Sequence, residues 1–197
     1  MTTLLQIRKL FKHPVCISLS LWLMTLPAFA HTGQTMTSGW QEGLLHPVLG
    51  PDHLSTAMAV AFLALQTRAR APWLYPFSFV SGMAIGAWSG LEGLTLPGVE
   101  NGILFSVIIL GLLVMVRQPI PIGPGCVLLA AFALLHGHAH GSEVPDNADG
   151  VTYVTGVLLG TLGLHVTGLC LGRLCMKRFG NSSLQLMGML LLVYGTT

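Results

Sequence analysis

Charged side chains are scarce in this sequence, and their scarcity excludes most soluble folds. Of 197 residues only 8% are charged, whereas 52% are hydrophobic. A soluble domain carries roughly 25% charged residues, so these few could not cover a water-facing surface. The formal net charge is only +2 and the basic residues lie between apolar runs, which argues against a nucleic-acid partner. We therefore expect an integral membrane protein whose surroundings are a lipid bilayer.

Cysteine pairs and enzyme signatures are also missing. The chain has four cysteines and no C-x-x-C pair, and it would keep an odd number once Cys16 left with an N-terminal signal, so a disulfide framework is not expected. There is no H-E-x-x-H, no G-x-S-x-G and no G-x-x-x-x-G-K-[ST]. We therefore do not expect an enzyme. An intramembrane zinc-dependent hydrolase and a bis-histidine haem protein stay open as alternatives.

The first thirty residues carry the pattern of a secretory signal peptide. Three basic residues precede the apolar run VCISLSLWLMTL, and Ala28 and Ala30 then form an A-x-A site. We predict cleavage between Ala30 and His31, so that residues 1–30 are the signal and residues 31–197 are the mature domain. An uncleaved first transmembrane helix is the alternative.

Six apolar runs follow, each near the ~17–25 residues that a helix needs to cross the hydrocarbon core. The runs are continuous rather than alternating, which favours helices over strands. They cover approximately residues 40–66, 72–90, 99–116, 122–140, 151–174 and 182–197. The sequence therefore predicts an all-α, polytopic membrane bundle of six transmembrane helices.

The basic residues of the mature chain predict its orientation. They all lie after the first, third or fifth run: Arg68, Arg70, Arg117, Arg173, Lys177 and Arg178. The positive-inside rule places those connections in the cytoplasm. We therefore expect a multi-pass protein of the inner (cytoplasmic) membrane with both mature termini outside. The oligomeric state is open, with a homo-oligomer among the options.

Two further features bear on packing. Gly82, Gly86 and Gly90 form a small-xxx-small repeat in the second run, which lets helix backbones approach closely in lipid. Tyr75 and Tyr153 lie near the ends of runs, as aromatic residues that anchor a helix at the membrane interface do.

The polar chemistry begins with HPVLGPDH, near the outer end of the first run. This stretch holds His46, Asp52 and His53 together with two prolines and a glycine, Pro47, Gly50 and Pro51. Proline removes a backbone donor and clashes with the preceding turn, so we expect a broken helix. Irregular backbone at membrane depth is tolerated where it is buried in protein or lines a wet cavity. The break would let Asp52 converge with the two histidines.

A second cluster, HGHAHGSE, closes the fourth run, again at the outer end. The spacing of His136, His140 and Glu143 lets all three share one helical face, whereas His138 points nearly opposite. Glu100, at the outer start of the third run, is a further acidic group at this level.

Ionisable groups within membrane spans are costly and are functional candidates for that reason. Imidazole nitrogen with carboxylate oxygen suits a divalent transition metal such as Ni²⁺, Co²⁺ or Zn²⁺, but these donors do not rank the three ions. The predicted metal ligands are His46, Asp52, His53, Glu100, His136, His140 and Glu143. We interpret the two other histidines of the spans, His138 and His165, as hydrogen-bonded packing residues.

Both motifs resemble those of the HupE/UreJ family of nickel permeases. HPVLGPDH is similar to the family's HPxxGxDH, and LHGHAHGSE to its FHGxAHGxE with Leu135 in place of phenylalanine. LPGVE at 96–100, the mature start HTG and the six-span layout also resemble the family, so the resemblance covers essentially the whole chain. It implies secondary transport of Ni²⁺ into the cell for hydrogenase or urease maturation, with a cobalt permease as the alternative. The ion would be the transported substrate, and no cofactor would be bound permanently.

Overall fold

Helices make up most of the chain that the structure, a computed structural model, describes. The described residues are 39–67, 71–117 and 119–196. Their helices are α1 (Gly39–Leu49), α2 (Pro51–Gln66), α3 (Leu74–Leu91), α4 (Val99–Val116), α5 (Ile122–Ser142), α6 (Gly150–Phe179) and α7 (Ser182–Gly195). No strand occurs in these ranges, so the predicted all-α fold is confirmed. The predicted signal peptide lies outside the described residues.

The helices coincide with the six predicted runs, but not all of them qualify as membrane spans. Helices α4, α5 and α6 are long and apolar enough to cross a membrane, and α1 with α2 makes a fourth if the bent pair counts as one span. Helix α7 has only 14 residues. Helix α3 has 18 residues, but its glycines and serines reduce its hydropathy. The number of six spans therefore stays a prediction.

The first run is a broken helix. Helices α1 and α2 are bent by 74° at Gly50, whose backbone is extended (φ −80°, ψ 119°). Pro51 causes this locally, because its ring disfavours the α conformation for the preceding residue while suiting the first position of a new helix. Pro47, which was expected to contribute to the break, instead lies inside α1.

Glycines bring α3 and α5 into backbone contact along their length. A Cβ on Gly86 would collide with the carbonyl oxygen of Leu134, and a Cβ on Gly137 would collide with that of Met83. The glycine repeat predicted to mediate helix packing therefore faces α5. Because Gly137 belongs to the HGHAHGSE cluster, the same contact fixes the height of that cluster against α3.

Helix α1 packs on α6 in a similar way. A Cβ on Gly43 would collide with the carbonyl oxygen of Tyr153, and a Cβ on Gly156 would collide with that of Trp40. This contact holds α1 against α6 just ahead of the break.

Charge is segregated between the two ends of the bundle. The ends of α2, α4 and α6 meet at a cavity lined by residues such as Gln66, Arg117 and Met176. Lys177 and Arg178 follow in the last turn of α6. The acidic first-turn residues and the HGHAHGSE cluster lie at the opposite end. Large apolar side chains such as Ile85 are exposed on the outer faces of the helices between these ends, as contact with lipid requires.

Candidate metal centre

Three imidazoles from three helices converge where the broken helix meets the end of α5. His46 comes from α1, His53 from α2 and His140 from α5, and one ring nitrogen of each lies within 4.8 Å of the others. The ring centroids of His53 and His140 are 4.3 Å apart, and those of His46 and His140 are 4.9 Å apart. This group of three, the outer triad, is compact enough to hold one metal ion.

The helix break creates this geometry. His46 and His53 are seven residues apart, which on a straight α-helix would separate them by about 10 Å along the axis. The bend at Gly50 instead brings their ring centroids to 5.7 Å. The Gly50–Pro51 step is thus what turns two histidines of one chain segment toward a common point.

Asp52 reaches the triad through His53. Its Oδ1 lies 2.9 Å from His53 Nδ1, an ion-pair distance. This nitrogen has no aligned hydrogen-bond partner among the described residues. A carboxylate beside a ligating imidazole orients the ring and increases its basicity, and this is the position that Asp52 occupies.

His136 is adjacent to the triad and contacts Ser106. It lies one turn before His140 on α5, with its ring centroid 5.1 Å from that of His53. Ser106 Oγ donates to the carbonyl oxygen of Ile103 at 2.7 Å and lies 2.8 Å from His136 Nε2. When the single hydroxyl hydrogen of Ser106 stays on the Ile103 carbonyl, His136 Nε2–H donates to Ser106, and a lone pair is left on Nδ1.

Tyr153 contacts the triad and was missed as a site residue. Its hydroxyl lies 3.0 Å from His46 Nδ1, and the side chain is buried rather than anchored at an interface. When His46 donates from Nδ1 to Tyr153, its Nε2 keeps the lone pair that a metal ion needs. Sequence position near a helix end gave no signal that distinguishes this role from anchoring. Ser106 likewise carried no sequence signal.

Glu100 and Glu143 lie at the rim and are not part of the outer triad. Both side chains are exposed, and Glu143 is the residue that caps the end of α5. Partial burial, and next the negative charge of Glu100, raise the pKa of the Glu143 carboxyl. A cation arriving between these carboxylates would relieve their repulsion, so the rim attracts positive charge toward the triad.

His140 is the most deeply buried member of the triad. It is 1% exposed, and neither ring nitrogen has a hydrogen-bond partner among the described residues. Leaving a buried polar group unpaired costs roughly 1–3 kcal/mol, a cost that coordination of a metal ion removes. The donor chemistry and the unpaired nitrogens therefore both suit a divalent transition-metal ion.

The two histidines interpreted as packing residues differ from each other. His138 points away from the triad, with its Nδ1 2.9 Å from Ser89 Oγ and its Nε2 3.3 Å from Ser142 Oγ, as expected for a hydrogen-bonded packing residue. His165 is fully buried, and neither of its nitrogens has a partner in the part of the chain that the structure describes. The interpretation of His165 as hydrogen-bonded is therefore wrong.

The fold and the site together define a class: apolar, all-helical membrane proteins with an imidazole cluster at a helix break. Comparison with known proteins agrees with this class and narrows it. The chain belongs to the HupE / UreJ protein family, which matches residues 19–197. It is similar to Protein HupE from Rhizobium leguminosarum bv. viciae, with 39% identity over 167 residues, 84% of this chain and 86% of that protein. No solved structure matches the chain.

Proposed function

We propose that this protein is a secondary transporter that carries Ni²⁺ across the inner membrane into the cell. The observation that carries the proposal is the convergence of His46, His53 and His140 at a helix break. Transporters commonly build substrate sites from such discontinuous helices, because the break frees side chains and backbone to face an ion. Membership of the HupE / UreJ family supports the further step that the metal supplies hydrogenase or urease maturation.

The donor set supports a transition metal over the common hard cations. Neutral imidazole suits Ni²⁺, Co²⁺ and Zn²⁺, whereas Mg²⁺ and Ca²⁺ prefer shells of oxygen. A cobalt permease of the same family is the second candidate, because imidazole and carboxylate donors bind both ions by the same chemistry.

The segregation of charge supports an orientation with the triad outside. The end of the bundle that carries Arg117, Lys177 and Arg178 would face the cytoplasm, as the positive-inside rule requires. Glu100 and Glu143 would then face the outside, where the ion arrives.

Uptake of radioactive Ni²⁺ by cells that lack other importers tests the proposal. We expect wild-type protein to accumulate the ion, His140→Ala to abolish accumulation, and excess Co²⁺ or Zn²⁺ to reveal the preferred metal by competition. Protein that reaches the membrane intact yet takes up none of the three metals would overturn the proposal.

A further inference from the structure

His165 is a fully buried polar side chain inside the bundle. It lies on α6, is 0% exposed, and has no hydrogen-bond partner for Nδ1 or Nε2 among the described residues. Thr161, one turn earlier on the same face of α6, is also buried, and its hydroxyl has no hydrogen-bond partner among the described residues. Two buried, unpaired polar groups side by side destabilise the fold, because a leucine and a valine would fill this space without the desolvation penalty.

The rings of the site continue inward from the outer triad to His165. The ring of His53 lies edge-on to that of His136, with 5.1 Å between their centroids. The centroid distances are 5.8 Å from His136 to Phe79 and 5.6 Å from Phe79 to His165. His136 is already one turn, about 5–6 Å, inward of His140 along α5. One phenyl ring, that of Phe79, therefore separates His165 from the imidazoles of the outer site.

We propose that His165, with the Thr161 hydroxyl beside it, is a second binding position for the transported cation, inward of the outer triad; this rests on the proposed transport function. A neutral imidazole offers one nitrogen lone pair to a divalent transition-metal ion, and the hydroxyl offers an oxygen. Water that travels with the ion would complete its coordination.

The two positions differ in the number of donors that they offer to the ion. The outer triad offers three imidazoles, whereas the inner position offers one, so the ion binds more weakly as it moves inward. Conduction requires binding that is favourable enough for entry and weak enough for release, and a single imidazole satisfies the second requirement.

His165→Leu separates a transport role from a structural one. Leucine removes two unpaired polar atoms from an apolar site, so we expect the melting temperature to stay unchanged or to increase. We expect the KM for Ni²⁺ to stay unchanged, since the outer triad is intact, and the maximal uptake rate to fall at least tenfold. His165→Gln keeps a side-chain atom that can bind the ion in the same place, so this variant should transport faster than His165→Leu.

His138→Leu is the matched control, because it also replaces a buried histidine of the bundle with leucine. His138 does have partners, Ser89 and Ser142, so this variant should melt at a lower temperature. Its uptake rate per folded molecule should equal that of the wild type, because His138 points away from the triad.

Binding of Co²⁺ to purified protein provides a test that does not depend on transport. In protein with His46, His53 and His140 all replaced by alanine, we expect a weak visible absorption of bound Co²⁺ that disappears when His165→Leu is added. The inner position is overturned if this residual binding does not depend on His165, or if His165→Leu transports at the full rate. Residual binding together with a wild-type protein that fails to transport would instead overturn the proposed function and leave the inner position standing.

Discussion

The ring of His140 contacts those of both His46 and His53, and its own nitrogens make no hydrogen bond to the described part of the chain. If these imidazoles share one ion, removing any of them disrupts the same coordination sphere. We therefore expect His46→Ala and His140→Ala each to weaken Ni²⁺ binding more than a hundredfold, and the double variant to be little worse than either single variant. Titration calorimetry on purified protein measures this coupling. Independent effects that multiply would indicate two separate sites.

Tyr153 supports His46 from outside the coordination sphere. Tyr153→Phe removes only the hydroxyl that lies 3.0 Å from His46 Nδ1, so the ring of His46 loses the partner that orients it. Loss of such an outer partner typically weakens metal affinity 10–100-fold, and we expect a reduction of that size in equilibrium Ni²⁺ binding.

Tyr75→Phe is the control for that measurement. The Tyr75 hydroxyl donates to the carbonyl oxygen of Ile120 at 2.9 Å, at the opposite end of the bundle from the triad. This variant loses a hydrogen bond of the same kind but should bind Ni²⁺ with unchanged affinity. Equal losses in the two variants would show that Tyr153 acts on the fold and not on His46.

Among the elements, the pairing of α3 with α5 is the least tolerant of change. A methyl group on Gly86 would meet the backbone of α5 at Leu134, and backbone cannot rotate away as a side chain can. We expect Gly86→Ala to destabilise the protein by about 1–3 kcal/mol and to displace His140 on α5. Thermal denaturation in detergent, together with Ni²⁺ affinity, measures both effects.

Gly163→Ala is the control for Gly86→Ala. It lies in the interior of α6, where an added Cβ would meet no atom within 4 Å. Gly163→Ala should be neutral or stabilise the helix by up to about 1 kcal/mol. A Gly86→Ala protein that melts and binds like Gly163→Ala would refute the close approach of α3 and α5.

The sequence predicts those elements whose cause is local. The break at Gly50 is readable because Pro51 acts on its immediate neighbour. Pro47 was misread, because the preferred φ of proline is compatible with a helix and only one backbone donor is lost. The fifth apolar run ends near 174, but helix α6 extends to Phe179, since its basic last turn stays helical beyond the run.

Contacts distant in sequence were not readable in this way. Tyr153 is 107 residues from His46, and a tyrosine near a helix end has the same sequence signature whether it anchors the helix or bonds to a histidine. The size of the bend, 74°, could not be predicted from the sequence either. The packing of α1 on α6 helps to fix it, and no local pattern encodes an angle.

At the scale of the whole molecule, the membrane potential can drive the proposed transport. A divalent cation moving inward gains roughly 4.6 kcal/mol per 100 mV of inside-negative potential, twice the value for one charge. That energy corresponds to more than a thousandfold accumulation, so accumulation above the external concentration should cease when an ionophore depolarises the membrane. Flux measurements in vesicles with an imposed potential test this. Continued accumulation with both the potential and the pH gradient abolished would indicate a missing energised subunit.

The glycine contacts also bear on how the molecule can move. Helices α3 and α5 touch through their backbones, and so do α1 and α6, whereas the two pairs contact each other much less. Each pair should therefore move as one rigid body, with His140 on the α3–α5 body and His46 on the α1–α6 body. A bound ion would bridge the two rigid bodies through these histidines, and inward release would require the bodies to separate. Distances between spin labels on α5 and α6 should shorten with Ni²⁺, while those within each pair stay constant. An ion bound too tightly by the outer triad would then prevent this separation and slow the transport cycle. This sets an upper limit on the affinity that is compatible with transport.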